Sequence, residues 1–175
     1  MPGNTAAPSF DTPLEMLRAC HVRMMEQCST LQKLLLHLPV YGCDVQARQA
    51  AQAILRYFDT AGQFHHQDEE EDLFPLLLAT SNNEIHILIK RLHKEHKEMD
   101  AAWQILRLRL SAIAAGQPDT LENSVVEHFS AVYTRHITLE NTQLLPVAAQ
   151  LLNKQQLLEL GNRMAARRGV SRNTG

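Results

Sequence analysis

His65-His66-Gln67-Asp68-Glu69-Glu70-Glu71-Asp72-Leu73-Phe74-Pro75 decides the fold, because the same pattern returns at His136-Ile137-Thr138-Leu139-Glu140-Asn141-Thr142-Gln143-Leu144-Leu145-Pro146. Both segments read His-x3-Glu-x3-Leu-apolar-Pro. A spacing of four puts each His above its Glu on one face of a helix. Working outward, each pair lies on a longer stripe stepping by three and four. One stripe runs Ile54, Phe58, Ala61, His65, Glu69, Leu73, Leu76 and the other Val125, Phe129, Val132, His136, Glu140, Leu144, Val147. Two further stripes each carry a single histidine. These are Leu14, Leu17, His21, Met24, Cys28, Leu31, Leu35, Leu38 and Ile85, Leu88, Leu92, His96, Met99, Trp103, Leu106, Leu110, Ile113.

Punctuation between the stripes is short. Thr12, Pro13 and Glu15 have the layout of a capping box with proline at the first helical position. Pro39-Val40-Tyr41-Gly42 ends the first helix and Asp44 caps the second, which runs to Thr80. Ser81-Asn82-Asn83 is turn and cap chemistry. Gly116 and Pro118 stop the third helix, and Asp119 or Thr120 starts the fourth. The expected fold is all-α, an up-down-up-down four-helix bundle with a short extra helix near 154–166. Its expected organisation is a flexible arm over 1–11, the bundle over 12–152, and a short helix with a polar tail over 153–175.

Bulk properties narrow the function. A length of 175 residues suits one domain with a substantial core. A net charge of −2 gives no basis for nucleic-acid binding. No apolar run reaches membrane-spanning length, and residues 1–5 lack the layout of a secretory signal. The three cysteines Cys20, Cys28 and Cys43 are an odd number and form no disulfide framework, so the expected location is the cytosol. The anomaly is histidine, with nine in the chain. Stripes in a bundle point inward, where unpartnered polar groups are costly. A pair of metal ions would satisfy His21, His65, His96 and His136 together with Glu69 and Glu140. Depth agrees: His65 lies 16 residues before Ser81 and His96 lies 15 after it. Across all the turns the mismatch is at most about 6 Å, roughly one helical turn.

These residues resemble the hemerythrin-like (HHE cation-binding) domains over about residues 14–152. The resemblance rests on the two His-x3-Glu-x5-Pro segments and the Glu95-His96 pair. It implies His21, His65, Glu69, His96, His136 and Glu140 as metal ligands, with the two glutamates bridging and the histidines capping. It also implies two iron ions, although the imidazole and carboxylate donors suit zinc or manganese as well. Oxygen-carrying members place a second histidine where Leu92 stands and use His-x4-Asp on the fourth helix. With four histidines and two glutamates, the chain is closer to the branch containing iron-sulfur repair proteins and the iron-sensing domain of a ubiquitin-ligase subunit. A repair role fits less well, because those proteins carry a cysteine-bearing N-terminal domain that an 11-residue arm does not supply. Ferritin-type storage fits poorly, because its Glu-x-x-His order is reversed here.

The expected function is therefore a non-haem di-iron protein that binds or senses oxygen, nitric oxide or peroxide. The alternatives are a di-iron oxidoreductase acting on ferrous iron, peroxide or nitric oxide, and an iron-responsive regulatory module. Around the site, Asp68, Glu70, Glu71 and Asp72 read as a solvated helix face and His66 as a neighbour of the ligands. His93 reads as a flanking residue, a fifth histidine ligand or a gate. His128 reads as partly buried. Cys20 and Cys28 read as packing residues, Tyr57, Tyr133 and Trp103 as walls of the bundle, and Tyr133 also as a hydrogen-bond donor near the centre. Glu70→Ala and His66→Ala are expected to leave metal loading near normal.

Overall fold

The computed structural model describes residues 8–118 and 120–170 and is helical throughout, with no strand among them. Its elements are α1 (Pro13–Tyr41), α2 (Val45–Asp59), α3 (Ala61–Gln67), a π-helical segment Asp68–Leu73, α4 (Phe74–Leu78), α5 (Asn83–Ala114), α6 (Asn123–Leu139), a second π-helical segment Glu140–Leu144, α7 (Leu145–Leu151) and α8 (Lys154–Arg167). The second arm of the bundle is thus α2–α4 and the fourth is α6–α7. Neighbours in sequence are neighbours in space: α1 packs on α2, α2 on α5, α5 on α6, and α6 closes the ring against α1. This is the up-down-up-down bundle expected from the stripes.

Helix boundaries follow local chemistry, with some departures from the sequence expectation. Asp44 caps α2 by accepting from the Ala47 N–H at 2.8 Å, and Asn82 caps α5 by accepting from Ile85. The capping box expected at Thr12 does not form. The Thr12 hydroxyl turns back to the Ser9 carbonyl, and Glu15 pairs with Arg18 instead. Pro39 does not end α1. It lies in the last turn, where the missing N–H removes only one terminal bond, and the helix stops at Gly42, whose φ is +69°. The α6 helix begins at Asn123, later than Thr120. Asp119, residues 1–7 of the expected arm and residues 171–175 of the expected tail lie outside the described residues. A capping box not anticipated from the sequence, Asn153 with Gln156, starts α8.

The largest departure is one of register, and it occurs twice. The stripes anticipated Leu73 then Leu76, and Leu144 then Val147. The buried residues are Leu73, Phe74 and Leu77, and Leu144, Leu145 and Ala148. Each π-helical segment follows a histidine and opens at or beside the glutamate of the repeat. The Glu69 carbonyl accepts from Phe74 N–H five residues on, as the Glu140 carbonyl does from Leu145. The wider turn holds one extra residue and moves every later side chain by one position. Pro75 and Pro146 follow immediately. A proline ring clashes with the carbonyl four residues earlier in a regular α-helix, and the widened turn relieves that clash.

The apolar interior is in two parts. One cluster contains Met24, Cys28, Phe58, Met99, Trp103, Phe129 and Tyr133. The other contains Leu17, Leu73, Phe74, Leu92, Leu139, Leu144 and Met164. On α1, His21 falls between Leu17 and Met24, and on α5, His96 falls between Leu92 and Met99. The histidines thus form a polar layer across an otherwise apolar core.

Candidate metal centre

His21, His65, Glu69, His96, His136 and Glu140 are all at most 2% exposed and meet in that layer. They form two donor groups, His21, His65, Glu69 and Glu140, and Glu69, His96, His136 and Glu140. The two glutamates belong to both. His21 and His65 bring their Nε2 atoms to 3.1 Å from each other, and His96 and His136 bring theirs to 3.0 Å. Glu69 reaches the first pair through Oε1, 3.2 Å from His65 Nε2, and the second through Oε2, 3.2 Å from His96 Nε2. Glu140 reaches them in the opposite sense, Oε2 at 3.0 Å from His21 and Oε1 at 3.1 Å from His136.

The fit to metal can be tested on these atoms. All four oxygens of Glu69 and Glu140 are buried, and none receives a well-directed hydrogen bond. A buried carboxylate without donors is strongly disfavoured unless a cation compensates it. Adjacent donors bonded to one ion at about 2.1 Å lie about 3.0 Å apart at right angles, close to the 3.0–3.2 Å separations above, and His65 Nε2 and Glu140 Oε2 stand farther apart at 4.0 Å. Without metal, protons carry the counter-charge. Burial works against ionisation of Glu140, but the surrounding imidazoles, His136 foremost, outweigh it and hold Glu140 well below the usual carboxylate range. Burial likewise lowers His65 and His96, but Glu69 and its neighbours raise both, His96 to about 9.

The outer ring nitrogens explain how the rings are aimed. His21 Nδ1 lies 2.8 Å from Asn141 Oδ1, His96 Nδ1 2.6 Å from Glu70 Oε1, and His136 Nδ1 3.1 Å from Glu95 Oε2. Such partners fix the tautomer that leaves Nε2 free for a metal. Glu95 is itself held by Arg91 at 2.9 Å. His65 Nδ1 has no hydrogen-bond partner, although the Cys20 thiol acts on this ring. The His96 ring lies between His66, stacked at 4.1 Å, and Phe74 at 5.8 Å.

Several neighbouring residues stand differently from the sequence expectation. Asp68 and Asp72 are not on a solvated face. They are buried and ion-paired to α8, Asp68 to Arg167 and Arg168, and Asp72 to Arg163 at 3.1 Å and Arg167 at 2.7 Å. Glu70 is half-exposed yet orients His96, whereas Glu71 is exposed as expected. His66 is buried, and burial followed by the charge of His96 pushes its pKa well below the ordinary value. His93 is outside both donor groups and faces Glu70 and Phe74. His128 is exposed. Tyr133 packs against Phe58 and Phe129 in the aromatic cluster, and burial raises its pKa. Trp103 Nε1 donates to Asp59, and Tyr57 donates to the Cys20 carbonyl.

Sequence reasoning missed Glu70 and Asn141 as orienting residues, although the repeat contained the signal. Each directly follows its glutamate, Glu69-Glu70 and Glu140-Asn141. Each reaches a histidine on a neighbouring arm.

The fold and the layer define a class, a four-helix bundle with a buried histidine and glutamate metal site. Residues 12–148 match the family model described as the Hemerythrin HHE cation binding domain, and the chain belongs to that family. It is also similar to a protein of Haemophilus influenzae described only as uncharacterized, 32% identical over 162 residues that cover 93% of each chain. No helix among the described residues is long and apolar enough to cross a membrane.

Proposed function

We propose that this chain is a cytosolic non-haem di-iron protein that binds or senses oxygen, nitric oxide or peroxide. The observation that carries this reading is the pair of buried carboxylates whose four oxygens receive no well-directed hydrogen bond and divide between two histidine pairs. His21 and His65 would hold one ion, His96 and His136 the other, and Glu69 and Glu140 both. Two iron ions held there would supply a redox-active pair able to take a small ligand. Imidazole and carboxylate donors without thiolate favour iron, and zinc or manganese remain compatible with the same set. Three free cysteines accord with a reducing cytosol.

The residues of the chain do the rest. Asn141, Glu70 and Glu95 fix the ring tautomers. Phe74 and His66 clamp the plane of His96. The apolar layers on either side, with Met24 and Met99 on one and Leu17 and Leu92 on the other, keep bulk water from the carboxylates. The alternative readings, di-iron turnover of ferrous iron, peroxide or nitric oxide and an iron-responsive module, would use this same centre.

Elemental analysis of the purified chain, with visible spectra before and after oxygen, tests the proposal. Two irons per chain and new near-ultraviolet and visible bands on oxidation are expected. One tightly held zinc with an unchanging spectrum would overturn the redox reading.

A further inference from the structure

The two hairpins of the bundle correspond residue for residue around the centre. Cys20-His21 corresponds to Glu95-His96, His65 to His136, Glu69 to Glu140 and Glu70 to Asn141. Their outer partners correspond too. Each single histidine, His21 or His96, takes as Nδ1 partner the residue after the glutamate of the other hairpin, Asn141 or Glu70. His136 takes the residue preceding His96, Glu95. By the same rule His65 faces the residue preceding His21, which is Cys20, whose neutral thiol acts on the ring without a well-directed hydrogen bond to Nδ1.

The sequence breaks this symmetry in charge. Both histidines of the second hairpin are backed by carboxylates, and both of the first by neutral side chains. A carboxylate accepting from Nδ1–H makes the imidazole a stronger donor at Nε2, and losing such a partner typically weakens metal binding about 10–100-fold. Arg91 and Arg135 near Glu95 offset part of that negative charge from the far side, and His93 lies 3.5 Å from Glu70. They also hold the two carboxylates in place. On the first hairpin, an open groove of about 410 Å³ lined by Val22, Met25, Ile137 and Asn141 ends against His21, so solvent lies closer to that side of the layer.

Resting on the di-metal reading above, we propose that the two positions are unequal. The His96–His136 position fills first and retains its divalent ion, and the His21–His65 position holds its ion at least about tenfold more weakly and exchanges it. Glu70 and Glu95 act as positioning residues for the tight site, and Asn141 sets the weakness of the other.

The test is an anaerobic titration of the metal-free full chain with cobalt(II), followed by calorimetry and visible absorbance, with helical content checked for every variant. Two equivalents are expected, the second at least about tenfold weaker. His21→Ala should keep the tight equivalent and lose the weak one, and His136→Ala the reverse. Asn141→Asp places a carboxylate behind His21 and should tighten the second equivalent about tenfold without altering the first. Glu95→Gln should weaken the first. Tightening by Asn141→Asp is a gain that a merely structural role would not produce. Two equal equivalents, a reversed assignment in the histidine variants, or an Asn141→Asp chain titrating like wild type would overturn the proposal while leaving the di-metal reading intact. No cobalt bound by the wild-type chain would overturn both.

Discussion

A buried carboxylate without well-directed donors is among the least favourable groups in a core, and Glu69 and Glu140 present four such oxygens at one place. Glu69→Ala and Glu140→Ala should each abolish binding of at least one ion, read by elemental analysis after dialysis. His66 calls for a finer test, because its ring stacks on His96 while its Nε2 has no partner. His66→Ala should destabilise the fold by about 2–4 kcal/mol through the cavity left behind. His66→Phe should be near neutral, because it keeps the stack and removes the orphaned nitrogen. Urea denaturation of the two variants checks this, and equal losses would mean that the stack contributes nothing. Protons and metal compete for the same atoms. His96 stays protonated in the metal-free chain until pH approaches about 9, where Glu69 and Glu70 hold it against the effect of burial. Metal uptake below that pH should therefore release protons, and apparent affinity should rise with pH up to about 9. An indicator dye in weak buffer reads the release, and uptake without proton release would refute it. At this scale the sequence displays which residues meet, since periodicity alone puts His21, His65, His96 and His136 inward. It does not display Glu95 and Glu70 as orienting groups, because ring-nitrogen partners depend on side-chain direction between helices.

Among the elements, α8 lies beyond the matched family residues and ties itself to the π-helical segment that carries Glu69. Asp68 is fully buried and has Arg167 and Arg168 as partners. Arg167→Ala should destabilise the chain by about 3 kcal/mol, the lower part of the range for breaking a buried ion pair, because Arg168 remains. Thermal or urea unfolding checks the loss, and a change below about 0.5 kcal/mol would mark α8 as an independent appendage. The π-helical segments were hidden from the sequence for a physical reason. A stripe of period 3.6 is continued past Glu69 and Glu140 by Leu76 and Val147, which are apolar and fit the pattern. Phe74, Leu77, Leu145 and Ala148 are apolar as well, so hydrophobicity does not choose between the registers. The clue was the paired prolines, Pro75 and Pro146, placed six residues after each glutamate where a regular helix tolerates them poorly.

For the molecule as a whole, metal bound at this layer would be coupled to folding. An ion that binds the folded chain at 100 times its Kd adds about 2.7 kcal/mol. For a chain of this size that is a Tm rise of about 5–10 °C. Differential scanning calorimetry of metal-free and loaded protein checks this, and identical transitions would show that the layer needs no cation. The polar layer also divides what is usually one continuous oil-like interior into two, the Phe58–Trp103–Phe129 end and the Leu73–Phe74–Leu144 end. Amide protons on either side of such a fault plane need not exchange at one common rate. In the metal-free chain the plane is held by ionised carboxylates and the protonated imidazoles beside them, and the two ends are free to breathe separately. Ions bound there would weld the ends together, so deuterium uptake should be staggered between the halves of the metal-free chain and uniform in the loaded one.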